Sequence, residues 1–242
     1  MSDNLQPRGS DDTTLVQPMF TPIKRRSFFM YAGATAGATA LVLAGCSKDA
    51  VTPTSSAISL GSGDVGVLNY AYALEQLEAA FYAQVVKTPA GDFQTGELAY
   101  FTEVAAHEAI HRDFFKAAIN RDAPGKLLQN LTPNFTSIDF TKRASVLSTA
   151  KTFEDLGVAA YNGAGKLIKT AAYLVIAGQI VSVEARHAAY IRDLLDTTGK
   201  AFAGDDQVDP ITGLDKAMMP MDVIAAAQAF ITEKLDASTV GK

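Results

Sequence analysis

Residues 108–111 read Glu-Ala-Ile-His and residues 184–187 read Glu-Ala-Arg-His, so the pattern E-x-x-H occurs twice in the chain. Each motif lies in a stretch whose apolar residues recur every three or four positions, which predicts that both motifs are helical. On a helix, a carboxylate and an imidazole three positions apart share one face and are able to bind one ion or two adjacent ions. Because the 242 residues include only 3 histidines, two such pairs are not expected by chance. The candidate metal ligands from this pattern are Glu108, His111, Glu184 and His187.

Four long helices are predicted around these motifs. The apolar spacing indicates a first helix that is capped by Asp64 and ended by the Pro-Ala-Gly sequence at residues 89–91. A second helix is expected over about residues 95–120, a third over about residues 141–163 and a fourth over about residues 170–195.

The connections between the helices predict the topology. Helices 1 and 2 are joined by a short segment, as are helices 3 and 4, which predicts two antiparallel hairpins. The middle connection of about 18 residues would reach about 60 Å when extended, whereas helices of this length are about 30 Å long. It is therefore able to cross the whole bundle, and two hairpins with one long crossover are the ferritin-like arrangement. The predicted fold class is all-α, an antiparallel four-helix bundle with a long crossover between helices 2 and 3. A short C-terminal helix over about residues 221–235 is expected to pack on the bundle surface.

The first 45 residues have the order of an export signal. Residues 24–29 read Lys-Arg-Arg-Ser-Phe-Phe and precede an apolar run over residues 30–45. The paired arginines resemble the twin-arginine signal, which implies export of a folded protein. The sequence Leu-Ala-Gly-Cys at residues 43–46 resembles a bacterial lipobox, in which Cys46 is acylated. The alternative is a retained membrane helix over residues 28–45, which just reach spanning length.

Either interpretation places the rest of the chain outside the cytoplasm, in the cell envelope and facing the periplasm or the cell surface. The predicted domain organisation is a signal peptide over residues 1–45 and a flexible tether over residues 46–64, which is rich in Ser, Thr, Gly and Ala. The ferritin-like bundle follows over residues 65–197, and a C-terminal extension over residues 198–242.

Composition and charge exclude several classes of partner. The chain has 21 basic and 26 acidic side chains and a net charge of −5, so it has no strong basic field that would attract nucleic acid. Its single cysteine makes neither an intramolecular disulfide nor a thiolate metal cage. A metal site in this chain must therefore be rich in carboxylates.

Two further carboxylates are needed if four negative charges are to balance two divalent cations. Helix 1 offers Glu75 and Glu78, whereas helix 3 has only Glu154 in its interior. Glu75 lies seven residues before Tyr82, and Glu154 lies seven before Tyr161, so each Glu–Tyr pair shares a helix face. We interpret this correspondence as a degenerate internal repeat, which makes Glu75 the ligand and Glu78 its neighbour. Metal binding is favoured over buried hydrogen bonding, because unpaired carboxylates among apolar residues are costly.

Two stretches carry a family resemblance: residues 74–82 read LEQLEAAFY and residues 183–190 read VEARHAAY. With the E-x-x-H motifs, they resemble the exported ferritin-like domain family that includes desiccation-related proteins, relatives of rubrerythrin and bacterioferritin. The resemblance covers about residues 64–197. It implies a site for two iron or two manganese ions, bridged by Glu108 and Glu184, with Tyr82 and Tyr161 hydrogen-bonded to carboxylates across the bundle. The implied ligands are Glu75, Glu108, His111, Glu154, Glu184 and His187.

The resemblance implies an oxidoreductase whose metal centre reacts with O2, H2O2 or Fe(II), as a ferroxidase, a peroxidase or a catalase-like enzyme. Attachment to a membrane through lipid on Cys46 is hard to reconcile with a closed iron-storage cage. The alternative is a non-catalytic protein of desiccation or envelope stress in which the metal site is structural. A third possibility is a vestigial site that binds no metal.

Ordinary structural roles are expected for the other polar residues. Glu97, Glu103 and Glu233 are expected on the solvated surface. His107, four residues before His111, is a further candidate for the site, but a core or rim position is favoured, because it directly precedes Glu108 and points about 100° away from it. Surface ion pairs are favoured over a role in orienting the metal ligands for four other residues, which are Arg186, Arg192, Asp113 and Asp193.

Overall fold

The computed structural model describes residues 57–242, which are built on four long helices. These are α1 (Gly63–Lys87), α2 (Glu97–Asp122), α3 (Arg143–Gly165) and α4 (Ala171–Leu195). Helix α1 packs along α2, and α3 packs along α4, while α1 also contacts α3. Short connections join the two helices of each pair, and a long segment crosses from α2 to α3. The predicted all-α bundle with its crossover is confirmed.

Asp64 has a different role from the predicted helix cap. Helix α1 begins one residue earlier, at Gly63, and its cap position is Ser62. The Asp64 carboxylate instead accepts hydrogen bonds from the backbone N–H groups of Lys169 and Thr170, each at 2.8 Å. Because Thr170 is the cap position of α4, this carboxylate fastens the start of α4 to the start of α1.

Two amide side chains hold the crossover along α1. The buried Asn69 donates to the carbonyl oxygen of Lys126 at 2.8 Å and accepts from the N–H of Leu128 at 2.9 Å. Two turns further along α1, the Gln76 side chain accepts from the N–H of Leu131 at 2.9 Å. These amides provide the hydrogen bonds that the irregular backbone of the crossover needs where it is covered by the bundle.

Aromatic side chains fix the crossover and the C-terminal segment against the bundle. Phe81 of α1 is fully buried, and its ring centroid lies 6.0 Å from that of Phe135, 5.8 Å from that of Phe140 and 5.1 Å from that of Phe153. On the far side of this cluster, Phe153 meets Phe230 edge to face, with the centroids 4.8 Å apart. Such aromatic pairs stabilise the packing beyond their buried area.

The predicted fifth helix is shorter than expected. Helix α5 (Pro220–Ala227) continues for one 3-10 turn and contacts α3, so it lies on the bundle surface as expected. The Gln228 amide then donates to the carbonyl oxygens of Ile231 at 3.1 Å and Glu233 at 2.8 Å. Because these side chain–backbone bonds compete with helical ones, the prediction of helix as far as residue 235 is wrong.

The end of the predicted tether belongs to the fold. Strand β1 (Ile58–Ser59) pairs in parallel with strand β2 (Leu235–Asp236). Leu60, which follows β1, is fully buried, and its carbonyl oxygen accepts from the Asn69 side chain at 3.2 Å. The prediction of a flexible tether is therefore wrong for residues 58–64, because pairing with the C-terminal segment orders the chain before the bundle begins.

The predicted export signal, Cys46 and the first part of the tether lie outside the described residues. The alternative of a membrane helix over residues 28–45 lies outside them as well. Within residues 57–242, no helix combines the length and the apolar character that crossing a bilayer requires.

Candidate metal centre

Each long helix contributes one glutamate to the centre of the bundle. These are Glu75 in α1, Glu108 in α2, Glu154 in α3 and Glu184 in α4, and all four are 0% exposed. The four carboxylates are therefore shielded from solvent inside the bundle. Burying charged carboxylates without partners is costly, so the cluster requires positive charge close by.

His111 contacts three of these carboxylates. Its Nδ1 lies 2.9 Å from Glu184 Oε1, 3.3 Å from Glu108 Oε2 and 3.6 Å from Glu75 Oε2. Each of the four residues offers one ligand atom, and these atoms all lie within 4.8 Å of one another. They form the first of two donor groups.

His187 is the corresponding residue of the second donor group. Its Nδ1 lies 3.0 Å from Glu108 Oε1, 3.4 Å from Glu154 Oε2 and 3.6 Å from Glu184 Oε2. One ligand atom from each of these four residues also lies within 4.8 Å of the others. The structure thus brings together all six side chains that the sequence nominates as ligands.

Glu108 and Glu184 belong to both donor groups and use different oxygens in each. Glu108 directs Oε2 to His111 and Oε1 to His187, and Glu184 directs Oε1 to His111 and Oε2 to His187. The two groups also correspond in distance, since the 2.9 Å contact of His111 with Glu184 matches the 3.0 Å contact of His187 with Glu108. The two donor groups therefore form two adjacent candidate cation positions, and Glu108 and Glu184 contribute one oxygen to each.

Two tyrosines hold the remaining two glutamates from across the bundle. The Tyr82 hydroxyl of α1 donates to Glu154 Oε1 at 2.5 Å, and the Tyr161 hydroxyl of α3 donates to Glu75 Oε1. Burial raises the pKa of both hydroxyls, so they remain protonated and act as donors. Each tyrosine engages one carboxylate oxygen, and the other oxygen points toward a histidine.

Several buried atoms of the cluster form no hydrogen bond with the described residues. They are Oε2 of Glu75, Oε1 of Glu108, Oε2 of Glu154, both carboxylate oxygens of Glu184, and Nδ1 of His187. The short contacts among them are not aligned as hydrogen bonds, so the atoms converge without pairing. A buried polar atom left unpaired costs about 1–3 kcal/mol. Carboxylate oxygens with a few imidazole nitrogens are donors that suit divalent iron and manganese, so the donor set fits two such cations.

Residues 63–197 match the family model for the ferritin-like domain. The chain belongs to the ferritin-like domain family. The matched part of this ferritin-like protein contains α1 to α4 and every residue of the two donor groups, whereas the segment after residue 197 lies outside it. No curated protein matches the chain.

The two histidines supply positive charge to the centre of this ferritin-like protein. Burial opposes the charged form of His111, but the surrounding carboxylates outweigh burial and raise its pKa to about 12. The pKa of His187 is raised to about 12 by the same balance. Burial also opposes ionisation of Glu184, yet the two imidazoles lower its pKa to about 2. For Glu75 and Glu154, burial dominates and raises the pKa well above the ordinary value of 4.5.

Glu78 is buried but belongs to neither donor group. Only 3% of it is exposed, and burial raises its pKa well above the ordinary value. The residue that corresponds to it in the internal repeat is Gly157, and a Cβ atom there would lie 3.1 Å from Glu78 Oε1. The glycine therefore makes room for a fifth buried carboxylate that one half of the repeat has and the other lacks.

His107 lies at the rim of the bundle, which is one of the two places expected for it. It is exposed, and its Nδ1 lies 3.0 Å from Nε2 of His187. The two rings stack with their centroids 5.2 Å apart. This contact between α2 and a candidate ligand of α4 was not predicted from the sequence, although both histidines stand in or beside an E-x-x-H motif.

Glu97 is not the surface residue that was expected. Only 2% of it is exposed, and its Oε1 accepts from Arg143 Nη2 at 2.6 Å. The same Arg143 nitrogen donates to the carbonyl oxygen of Leu194 at 3.0 Å. This pair ties the start of α2 to the start of α3 and the end of α4, so its role is to hold the helices that carry the centre.

Arg192 also differs from its expected place in a surface ion pair. Only 3% of it is exposed, and it binds the carboxylates of Asp155 at 2.7 Å and Asp206 at 2.9 Å, which fixes the C-terminal extension to the bundle. Surface positions are observed for Glu103, Asp113, Arg186 and Asp193. Glu233 is half-buried and accepts from the Thr132 N–H at 2.9 Å.

Proposed function

We propose that this ferritin-like protein is an oxidoreductase with a dinuclear iron or manganese centre that reacts with dioxygen or peroxide. The observation that carries the proposal is that Glu108 and Glu184 each direct one oxygen toward His111 and the other toward His187. Two shared carboxylates of this kind hold two cations side by side, where both are able to act on one small oxidant. Four glutamates balance the four positive charges of two divalent cations.

The ligand residues divide into two sets. Glu75 and His111 would hold one cation, Glu154 and His187 the other, and the shared carboxylates both. Two reduced ions held there would supply two electrons, which together with two protons from solvent suffice to reduce dioxygen to hydrogen peroxide or hydrogen peroxide to two water molecules. Binding would replace the protons on the histidines, because an imidazole that ligates a metal through Nδ1 must be neutral there.

The residues around the ligands orient them and keep water away. The tyrosine on each opposite helix engages Oε1 of a terminal carboxylate, which leaves Oε2 directed at the cation position. Because the four glutamates have no solvent exposure, bulk water does not compete with the oxidant for the ions.

We further propose that the protein is exported and held at a membrane by lipid on Cys46. The support comes from the sequence, in the paired arginines within residues 24–29, the apolar run after them and the lipobox-like end of that run. Twin-arginine export carries folded proteins, so the cations would be loaded in the cytoplasm, where the choice of metal is controlled. The tether before residue 57 would then hold the bundle off the membrane, facing the periplasm or the cell surface.

The test adds Fe(II) to the metal-free protein without oxygen and then admits air. We expect two iron ions to bind per chain and the absorbance of an oxidised di-iron centre to appear faster than iron oxidises in buffer. Glu103→Ala, at an exposed position of α2, is the matched control for Glu108→Ala, which should abolish the effect. Oxidation no faster than in buffer would contradict the proposal. Parallel reactions with Mn(II) and H2O2, followed by oxygen release, test the catalase-like version.

A second candidate function is structural, and one observation favours it. The donor groups draw a carboxylate from each of the four helices, so bound cations would link the two hairpins whether or not they react. In that case metal should raise the melting temperature strongly while iron oxidises no faster than in buffer. That outcome would favour a role in desiccation or envelope stress through packing or partner contacts. Elemental analysis that finds no bound metal would contradict both functions.

A further inference from the structure

An apolar pocket lies between all four long helices, at the end of the bundle where α1 and α4 begin. It encloses about 510 Å³ of empty space, counting the part that is open to solvent. Buried residues such as Leu74, Ala160 and Tyr161 line its inner end, and half-buried residues such as Tyr173 and Ala177 line its mouth. Most of this volume consists of gaps between side chains that are too narrow for a molecule. The part that is wide enough holds about one water-sized molecule at a time. Only a small molecule enters it without displacing side chains.

The inner end of the pocket adjoins the metal centre. Tyr161, which lines the pocket, donates its hydroxyl hydrogen bond to Glu75. Leu74 directly precedes that glutamate, and Phe115 lies one helical turn after His111. A molecule at the inner end is therefore separated from one donor group by a single layer of side chains.

The pocket offers very few hydrogen bonds to an occupant. Four lining residues carry polar side-chain groups. Those of Asp64, Tyr161 and Tyr173 are already engaged in hydrogen bonds, so of the four only the Tyr70 hydroxyl has no partner among residues 57–242. Hydrogen peroxide has two O–H donors and several lone pairs, so it would lose most of its hydrogen bonds on leaving water. Dioxygen is apolar and loses almost none. The lining therefore discriminates between the two oxidants in favour of dioxygen.

We propose that this pocket binds dioxygen on its way to the metal centre, so that dioxygen rather than hydrogen peroxide is the oxidant that the site is built to receive. This inference rests on the proposed function and names its substrate. The narrow space admits a diatomic molecule, the mostly apolar lining disfavours hydrogen peroxide, and the inner end holds the occupant against Tyr161, one layer of side chains from Glu75.

Xenon is the probe for the pocket itself, because it binds in dry apolar cavities and needs no metal. In the metal-free full chain, xenon pressure should shift the NMR methyl signals of Leu74 and Ile176 until they saturate, and should leave those of Leu147, a core residue outside the pocket, unchanged. Ala177→Phe fills the mouth and should abolish the shifts. Ala172→Phe, at an exposed position of the same helix outside the pocket, is the matched control and should retain them.

The kinetic experiment compares two oxidants on the Fe(II)-loaded full chain. Ala177→Phe should slow oxidation by dioxygen about tenfold, a barrier increase of about 1.4 kcal/mol, and should leave oxidation by H2O2 unchanged. Ala172→Phe should change neither rate. If Ala177→Phe does not fold, Ile176→Ala replaces it. This variant enlarges the pocket and should raise the affinity for xenon, as reported by the methyl signals of Leu74, and should speed oxidation by dioxygen but not by H2O2.

The proposal is overturned if xenon leaves the methyl signals of Leu74 and Ile176 unshifted. It is also overturned if Ala177→Phe slows both oxidants equally, since the pocket would then not discriminate between them. If neither oxidant reacts with the Fe(II)-loaded chain, the proposed function fails. The xenon shifts then still decide whether the pocket takes up small apolar molecules.

Discussion

Nδ1 of His107 lies 3.0 Å from Nε2 of His187, and the planes of the two rings are 11° apart. The other nitrogen of His187 faces Glu108 Oε1 at 3.0 Å, so this imidazole is held between the centre and the bundle surface. Within residues 57–242, the hydrogen bonding of His111 involves its Nδ1 and not its Nε2. The position in α4 that corresponds to His107 is occupied by Val183. The two halves of the internal repeat therefore support their histidines differently.

Replacing His107 with alanine should weaken the cation position beside His187 about 10- to 100-fold, because the partner of a ligand histidine fixes the orientation and tautomer of its ring. The position beside His111 should change little. Titration with Mn(II), followed by calorimetry or electron paramagnetic resonance, measures the two affinities. The control is Glu103→Ala, at an exposed position one turn earlier on α2. Two unaltered affinities in His107→Ala would contradict the positioning role.

Glu108→Ala and Glu184→Ala should each remove most of both bound cations, because each of these carboxylates directs an oxygen to both donor groups. The affinity should fall at least about tenfold at both positions. Glu78→Ala, which also removes a buried carboxylate, should retain the metal, since Glu78 lies in neither group. Elemental analysis after dialysis measures the occupancy. Equal losses in all three variants would undo the assignment of Glu75, rather than Glu78, as the ligand of α1.

Tyr161→Phe should destabilise the metal-free protein by about 1–3 kcal/mol, because it leaves a buried oxygen of Glu75 without its donor. Tyr70→Phe is a matched control in the same bundle, since the Tyr70 hydroxyl is buried but has no partner within residues 57–242. That substitution should be nearly neutral. Unfolding in denaturant gives both free energies, and similar values for the two variants would show that the tyrosine–carboxylate contact contributes nothing.

The stabilisation that metal provides should grow as the pH rises. In the metal-free protein, the pKa of His111 and His187 is raised from 6.5 to about 12. Their contribution to stability is therefore fully present below pH 6.5 and is lost as the pH rises through the folded-state value. The raised pKa values of Glu75 and Glu154 act in the same direction from their ordinary value of 4.5 upward. The lowered pKa of Glu184 has the opposite effect, but only below 4.5.

Metal binding has the opposite dependence, because protons leave the histidines and carboxylates when cations bind. The increase in melting temperature on adding Mn(II) should thus be larger at about pH 8 than at about pH 5.5. Thermal unfolding with Mn(II) and with a chelator, at both pH values, measures the difference. An increase that is equal at the two pH values would mean that the cations do not displace these protons.

Cys46→Ala should leave the exported protein without lipid, either soluble or with its signal uncleaved. The reason is that acylation of this cysteine is the only anchor proposed once the signal has been removed. Fractionation of cells and mass spectrometry of the mature N-terminus measure the result. Retention of a cleaved Cys46→Ala protein in the membrane fraction would disprove the lipobox.

Much of the centre could be predicted from the sequence, because its pattern is local. Residues three, four or seven positions apart share a helix face whatever the rest of the chain does. That rule paired Glu108 with His111 and Glu184 with His187, and the Glu–Tyr spacing favoured Glu75 over Glu78. The structure places all six candidate ligands within the two donor groups.

Other features depend on residues that are distant in the chain, and local patterns misjudged them. The local sequence around Glu97 is typical of an exposed helix start. The residue is buried because Arg143, 46 positions later in the chain, packs against it and binds its carboxylate. The end of the predicted tether becomes β1 only because β2 lies beside it. The predicted fifth helix stops early because the Gln228 side chain engages the backbone that follows it.

By itself, the sequence determined the four helices and the residues that line up on their inner faces, since helical periodicity acts over a few residues. Only the tertiary structure decided other features around that centre: the contact of His107 with His187, the burial of Glu97 by Arg143, and the apolar pocket that ends at Tyr161. These features arise where separate helices meet. Their formation depends on packing between elements far apart in the chain, which no local spacing records.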